Sequence, residues 1–426
     1  MPAAARSTKP EESILFTPLS IGSLTVGGRV FKTATAETRA TDDGFVSDEF
    51  IEFYEPMARA GTPLIITGNL YVIETGKSTY RQPGADNEDK IPGLKRLADA
   101  LHAHGTAVFG QLNHCGRQVL PKTMGLDRAV SASGVRELML GTLPRPMTEA
   151  EIAETVEAFG RSAAICKAAG FDGVQIHAGH GYLISQFLTP YTNRRTDAWG
   201  GTFVKRLRLL LEVYQSVRRH AGADYPVIMK LNGTDFLPGR PGLKNRDLVE
   251  VARIMEREGL DGLEVTVGHY ESGGPMIRGT FSEFFKGMNK EGLGHKLPWL
   301  QRTGAKYAWP AMALAFGALW PPKEGFNLEY AENFKKALSI PVICVGGFQS
   351  REAMEQAILS GRCDAVSVAR SMIADPYLVR HLMQGVSGPA CNFCNGCIAR
   401  AGRMPVDCYE KEVRREKDAM MEAESA

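Results

Sequence analysis

Eight short β-branched runs, each followed by a segment of helical period, constrain this chain more than anything else in it. They are "RVFKTA" (29–34), "PLIITGN" (63–69), "AVFGQLNH" (107–114), "GVQIHA" (173–178), "PVIMKLNG" (226–233), "GLEVTVG" (262–268), "PVICVGG" (341–347) and "AVSVAR" (365–370). Near-continuous apolar strands of this kind pair in parallel and are covered on both faces. The helical segments carry stop and start signals. Ser47 opens one that ends at Gly61, and a Thr148/Glu151 capping box opens another that closes at Gly170. Eight uninterrupted strand–helix units predict an α/β fold, a (β/α)₈ TIM barrel, over the rival doubly wound sheet.

Composition fits that reading. The chain has 426 residues, 44% hydrophobic and 23% charged, with a net charge of +2. Such a balance gives no reason to expect nucleic acid or anionic lipid as a partner. The start "MPAAARSTKPEES" has no apolar stretch of the secretory kind. The longest apolar run, Ala308 to Trp320, is too short for a membrane span. The expectation is a soluble cytoplasmic protein, where clustered thiols bind metal or do redox work rather than staple a fold.

Two connections are long, residues 115–147 after strand 3 and an insertion, 268–327, after strand 6. Both leave C-terminal strand ends, where a barrel builds its active site, and loops of this length act as lids or contacts. Homo-oligomeric assembly is left open.

The polar residues collect at the same ends. Gln111 and His114 close strand 3, and His177, His180 and Tyr182 follow strand 4. Lys230 closes strand 5, Gly346 and Gly347 close strand 7, and Ala369 and Arg370 close strand 8. Paired glycines and an arginine there suit a phosphate, although tight turns and a surface arginine would give the same letters. Lys230 suits a cation beside an electron-rich ring, a Schiff-base nucleophile or a solvated side chain. Two imidazoles can grip one substrate oxygen while a tyrosine delivers a proton.

Near the end, Cys391, Cys394, Cys397 and Cys408 are spaced C-x₂-C-x₂-C-x₁₀-C. Four thiolates can hold zinc or a 4Fe–4S cluster, and spacing alone leaves both open. Cys115, Cys166, Cys344 and Cys363 are scattered and expected to be buried.

At "LFTPLSIGSLTVGGRVFKTATAETR", "QLNHCGR" and "HAGHGYLISQFLTPYTNRRTDAWGG" the chain resembles the flavin-dependent Old Yellow Enzyme family. The cysteine segment resembles its iron–sulfur subgroup, which includes 2,4-dienoyl-CoA reductase and trimethylamine dehydrogenase. The resemblance implies FMN packed against Ala34, Thr35, Ala36 and Gly68, with Gln111 on its pyrimidine edge and Lys230 near N1 and O2. It implies the FMN phosphate at Gly346, Gly347, Ala369 and Arg370. It assigns His177 and His180 to a substrate carbonyl, Tyr182 to proton donation, and the four cysteines to a 4Fe–4S cluster. A histidine after strand 6 assists the tyrosine in such relatives, and His269 and Tyr270 both lie within one position of that place. Ala34 and Thr35 replace the family's usual proline and methionine, and Cys115 its usual alanine.

The implied organisation is an FMN-binding barrel, 1–385, and a cluster-binding extension, 386–426. The implied activity is reduction of a C=C bond conjugated to a carbonyl in a small molecule. Oxidation of an amine or cyclic substrate, with electrons leaving through the cluster, is the alternative within the family; a Lys230 aldolase is the alternative outside it. No complete G-x-G-x-x-G occurs, so the electron donor is expected to be a separate ferredoxin or flavoprotein, or NAD(P)H acting directly.

Overall fold

A computed structural model of the chain describes residues 12–292 and 299–425. Parts of the expected domains, residues 1–11 and 426, and the stretch 293–298 of the insertion lie outside the described residues. Eight parallel strands close into a barrel: β1 (Val30–Lys32), β2 (Leu64–Tyr71), β3 (Ala107–Asn113), β4 (Gly173–His177), β5 (Val227–Asn232), β6 (Gly262–Thr266), β7 (Val342–Val345) and β8 (Ala365–Val368). Each pairs with its neighbours in sequence, and β8 returns to β1 with Val366 opposite Val30. Every strand end therefore points one way, and all eight connections that follow them share one face.

The helices lie outside. Asp48–Arg59 starts on Ser47, whose hydroxyl accepts from Phe50 N–H at 3.2 Å. Glu149–Ala168 starts on the full Thr148/Glu151 capping box. Phe50, Tyr54, Leu94, Leu97, Phe159 and Leu210 pack between helices and barrel. Inside the barrel, Phe31, Leu64, Ile66, Phe109, Ile228 and Ile343 form a separate cluster. It is closed at the N-terminal end by Ile21 and Val26 of a hairpin, Leu19–Ile21 paired with Leu24–Val26. Apolar packing thus fills the lower barrel, while the upper barrel is polar.

The insertion is not an extended loop. It contains the helices Ser282–Lys290 and Trp299–Leu319, the second with Pro310 inside it. Phe281, Phe285 and Ala313 make a small core of their own, joined by Trp309, Phe316 and Trp320. This unit leans on the cysteine segment: Thr280 N–H donates to Phe393 O at 3.0 Å, and the Gly279 amide is tied to Trp320 O at 2.9 Å. The four scattered cysteines are buried. No helix among the described residues is long and apolar enough to cross a membrane.

Candidate active site

A cavity of about 290 Å³ opens at the C-terminal face. Ala34, Thr35 and Ala36 after β1, Gln111 on β3 and Lys230 on β5 line it. So do His177, His180 and Tyr182 after β4, and Gly347, Ala369 and Arg370 after β7 and β8. Two of the residues expected against the flavin do not line it. Gly68 sits at an irregularity of β2, and a Cβ there would stand 1.6 Å from Glu37 Oε2 and 2.5 Å from Thr35 O. Gly346 faces the backbone of Phe326 and Asn327. Both let other segments approach, which only a missing side chain allows.

A buried network fixes the cavity floor. Lys230 Nζ lies 3.0 Å from Glu264 Oε2 and donates to Thr33 Oγ1 at 2.8 Å. Glu264 also accepts from Ser367 Oγ at 2.5 Å and from Gln175 Nε2 at 2.8 Å. Gln175 Oε1 in turn accepts from Gln111 Nε2 at 2.6 Å, so Gln111 is oriented through two side chains by one carboxylate. Burial alone would raise the Glu264 carboxyl, but Lys230 and the hydroxyl and amide donors hold it below the usual carboxylate range. Sequence reading missed Glu264 and Gln175. Their signal was a polar letter in the middle of each apolar run, Glu264 in "GLEVTVG" and Gln175 in "GVQIHA".

His180 adopts φ 56°, a left-handed conformation that costs a non-glycine residue energy unless its surroundings enforce it. Three hydrogen bonds enforce it here. The His180 N–H donates to Asn232 Oδ1 (3.0 Å), and His180 O accepts from Tyr270 N–H (2.9 Å) and Gln118 Nε2 (2.9 Å). The ring then reaches Thr266 Oγ1 with Nε2 at 2.8 Å, while Nδ1 lies 3.3 Å from His177 Nε2. His177 Nδ1 accepts from Gly179 N–H at 3.2 Å, which leaves its proton on Nε2. When Thr266 donates its hydroxyl proton to His180 Nε2, His180 carries its own proton on Nδ1. Two N–H groups then face the same spot. Asn232 and Thr266 were also missed, although both are polar letters closing a strand.

Burial, the neighbouring His180 and the Lys230 cation push His177 well below its ordinary range. Burial and Lys230 push His180 down to about 3, partly opposed by Glu264. Both rings are therefore neutral donors across the physiological range. Burial, with Tyr270 and Cys115 nearby, raises Tyr182 above the usual phenol range, so it keeps its proton. The Tyr182 and His177 rings meet edge to face at 4.9 Å. Of the two candidates after β6, Tyr270 lines a smaller cavity together with Tyr182. His269 packs beneath Gly181, whose Cβ would lie 2.5 Å from its Nε2. His114 is buried and donates nothing to the cavity; its Nδ1 accepts from Gly116 N–H at 3.0 Å.

Arg370 stands between this cavity and a second one lined by all four clustered cysteines, and Cys397 lines both. Its Nη1 donates to Asn395 Oδ1 (2.6 Å) and Arg278 O (2.8 Å), and its guanidinium lies over the Phe393 ring. The thiol loop is shaped by left-handed Phe393 and Asn395. Cys391 Sγ accepts from Phe393 N–H and Cys394 Sγ from Gly396 N–H, each at 3.4 Å. Among the described residues no three His, Cys, Asp or Glu side chains gather tightly enough for one metal ion; the thiols stand around a space instead.

Comparison with known proteins agrees with the fold. The chain is 36% identical over 400 residues to a metal reductase of Desulforamulus reducens, covering 93% of this chain and 53% of that protein. It is 32% identical over 397 residues to a 4,4'-dithiodibutanoate disulfide reductase of Rhodococcus erythropolis, covering 92% and 94%. A 2-naphthoyl-CoA reductase solved with 2-naphthoyl-CoA superposes with a TM-score of 0.78 at 28% identity, covering 95% of this chain and 58% of that one. The chain thus spans about half the length of the first of these relatives. Residues 14–291 match the family described as NADH:flavin oxidoreductase / NADH oxidase, and the chain belongs to that family.

Proposed function

We propose that this chain is the flavin-binding reductase part of an enzyme that reduces C=C bonds conjugated to a carbonyl. The observation that carries this is that two imidazoles held neutral and a phenol that keeps its proton line one cavity. Such a set polarises an oxygen and delivers a proton. Lys230, the candidate Schiff-base residue, is held by Glu264 and Thr33.

The residues present fit FMN. Gln111, Lys230, the Ala34–Ala36 backbone, Gly347, Ala369 and Arg370 would hold it, and the bound flavin supplies the hydride. His177 and His180 hold the substrate's carbonyl oxygen by two hydrogen bonds, which draws electron density from the conjugated β-carbon. Tyr182 gives its phenolic proton to the α-carbon and regains one from solvent. Gln175 and Glu264 keep Gln111 and Lys230 in register, and the apolar walls, Val345, Phe348 and Val368, keep water out.

The extension 386–426 is proposed as the holder of a 4Fe–4S cluster on Cys391, Cys394, Cys397 and Cys408. Four thiols around a space, two of them accepting backbone N–H bonds, suit a multinuclear group. The cluster supplies single-electron transfer, and a ferredoxin, a flavoprotein or NAD(P)H would be the ultimate donor. The naphthoyl thioester in the 2-naphthoyl-CoA reductase complex is itself an unsaturated ring conjugated to a carbonyl, which supports the substrate class.

Anaerobic purification tests the reading. Bound flavin and about four irons per chain are expected, with iron falling towards zero in Cys397→Ser. Protein that folds but carries no flavin would sink the proposal.

A further inference from the structure

Behind Tyr182 lies a second, smaller cavity. Among the described residues Tyr182 alone lines both it and the main one, so the two meet at this side chain. The turn beside it works the same way: Ala401 faces the main cavity, while Gly402 and Arg403 face the second. That turn is pinned. Gly402 N–H donates to Thr38 Oγ1 at 3.1 Å, its φ is +81°, and a Cβ would stand 2.7 Å from Thr79 Cγ2. Arg403 is thereby held at the rim.

The walls are mostly apolar or aromatic, and among the described residues Arg403 is the one charged residue in the lining, with no carboxylate beside it. Arg403 has no ion pair among the described residues. Among the described residues it makes one long polar contact, Nη1 to Gly292 O at 3.4 Å. Arg400 and Arg218, also partly buried, are by contrast paired, with Glu291 and Asp261. A second vacancy lies in the same wall. Gln118 is only 4% exposed and spends Nε2 on His180 O, and its Oε1 is buried without a partner. A buried acceptor left unpaired is costly, so a ligand group that donates to it is favoured.

We infer that this cavity is a tail site for a carboxylate-bearing substrate: the reacting bond lies in the main cavity, and the chain passes Tyr182 to place its anion on Arg403. A single cation among apolar walls matches a monoanion better than a phosphate dianion. An O–H or N–H on the tail, or a water it carries, would meet Gln118 Oε1. This inference rests on the reductase reading above for the identity of the reacting bond and on the second cavity alone for the anion.

The test uses 2-(ω-carboxyalkyl)cyclohex-2-enones with three to five methylenes, and their methyl esters. The full protein should prefer acid to ester in kcat/KM by about tenfold or more, carried mainly by KM. Arg403→Gln should collapse that ratio towards one, Arg403→Lys should keep part of it, and Arg403→Glu should invert it. Arg403 is partly exposed, so these variants are expected to fold. Calorimetric titration with the saturated 2-(4-carboxybutyl)cyclohexanone should show about tenfold weaker binding to Arg403→Gln. Equal use of acid and ester, with calorimetric affinity unchanged in Arg403→Gln, would overturn the tail site and leave the reductase reading intact. Arg403-dependent binding of the saturated acid without turnover of any enone would do the reverse.

Discussion

Replacing Lys230 by methionine strands a carboxylate inside the barrel. The Glu264 side chain has no solvent exposure and that of Lys230 has 4%. At 3.0 Å their attraction is about 5 kcal/mol for an effective dielectric of about 20. Removing one partner of a buried pair costs about 3–5 kcal/mol. Ser367 and Gln175 remain on Glu264, which places the expected loss near the lower bound. Unfolding entropy of about 2.1 cal/mol/K per residue over 426 residues is about 0.9 kcal/mol/K, so Tm should fall by about 3–5 °C. Glu264→Gln strands the lysine instead and should cost a similar amount, although Glu264 does not line the cavity. The double variant Lys230→Met/Glu264→Gln should recover most of the loss, a coupling of about 2 kcal/mol or more. Calorimetric scans at one fixed rate read this.

The pH dependence has opposite signs in the two proteins. In the natural chain Glu264 is held below the usual range, so its contribution is present above the ordinary carboxylate pKa and fades only as pH falls through the lowered value. In Lys230→Met the cation is gone and burial raises the carboxyl, so the deficit should shrink on acidification towards pH 5. Single variants within 1 °C of the natural chain, or losses that simply add in the double variant, would refute the ion-pair reasoning.

Two further outcomes are expected. Because burial pushes His180 to about 3 and His177 well below its ordinary range, imidazole protonation should leave no inflection in kcat between pH 5 and 8; a limb near pH 6.5 that vanishes in His180→Asn would contradict this. Gly68→Ala puts a methyl against Glu37 and the Thr35 carbonyl, and should cost about 1–3 kcal/mol with a matching loss of bound flavin; unchanged flavin content and Tm would count against the close approach.

The barrel was legible because strands buried on both faces are nearly uniform apolar runs, and eight of them alternate with helical segments. Strand-end residues were legible because parallel topology carries all of them to one face. What lay inside the barrel was not. Glu264 reads as one odd letter in β6, and nothing local says that it meets Lys230, Gln175 and Ser367 from three other strands. Gly68 and Gly346 serve as clearances for Glu37 and for the Phe326–Asn327 backbone rather than as cavity lining, which the letters alone do not distinguish. The insertion's long helix was hidden because Trp299–Leu319 is apolar on most faces and contains Pro310, so it shows no clear amphipathic period. The cysteine spacing was plain, but the left-handed Phe393 and Asn395 that turn amides towards sulfur carry no signal a single sequence reveals. Arg403 and Gln118 gave no signal either, because each is informative only through the surroundings that the fold gives it.

The most direct test is an anaerobic half-reaction. Protein reduced with dithionite is mixed with cyclohex-2-enone, and reoxidation of the flavin is followed near 450 nm for the natural chain and for Tyr182→Phe. The account predicts enone-dependent reoxidation that slows about 10²–10⁴-fold in the variant while the flavin stays bound. Reoxidation at an equal rate in both proteins, or none in either, would contradict it.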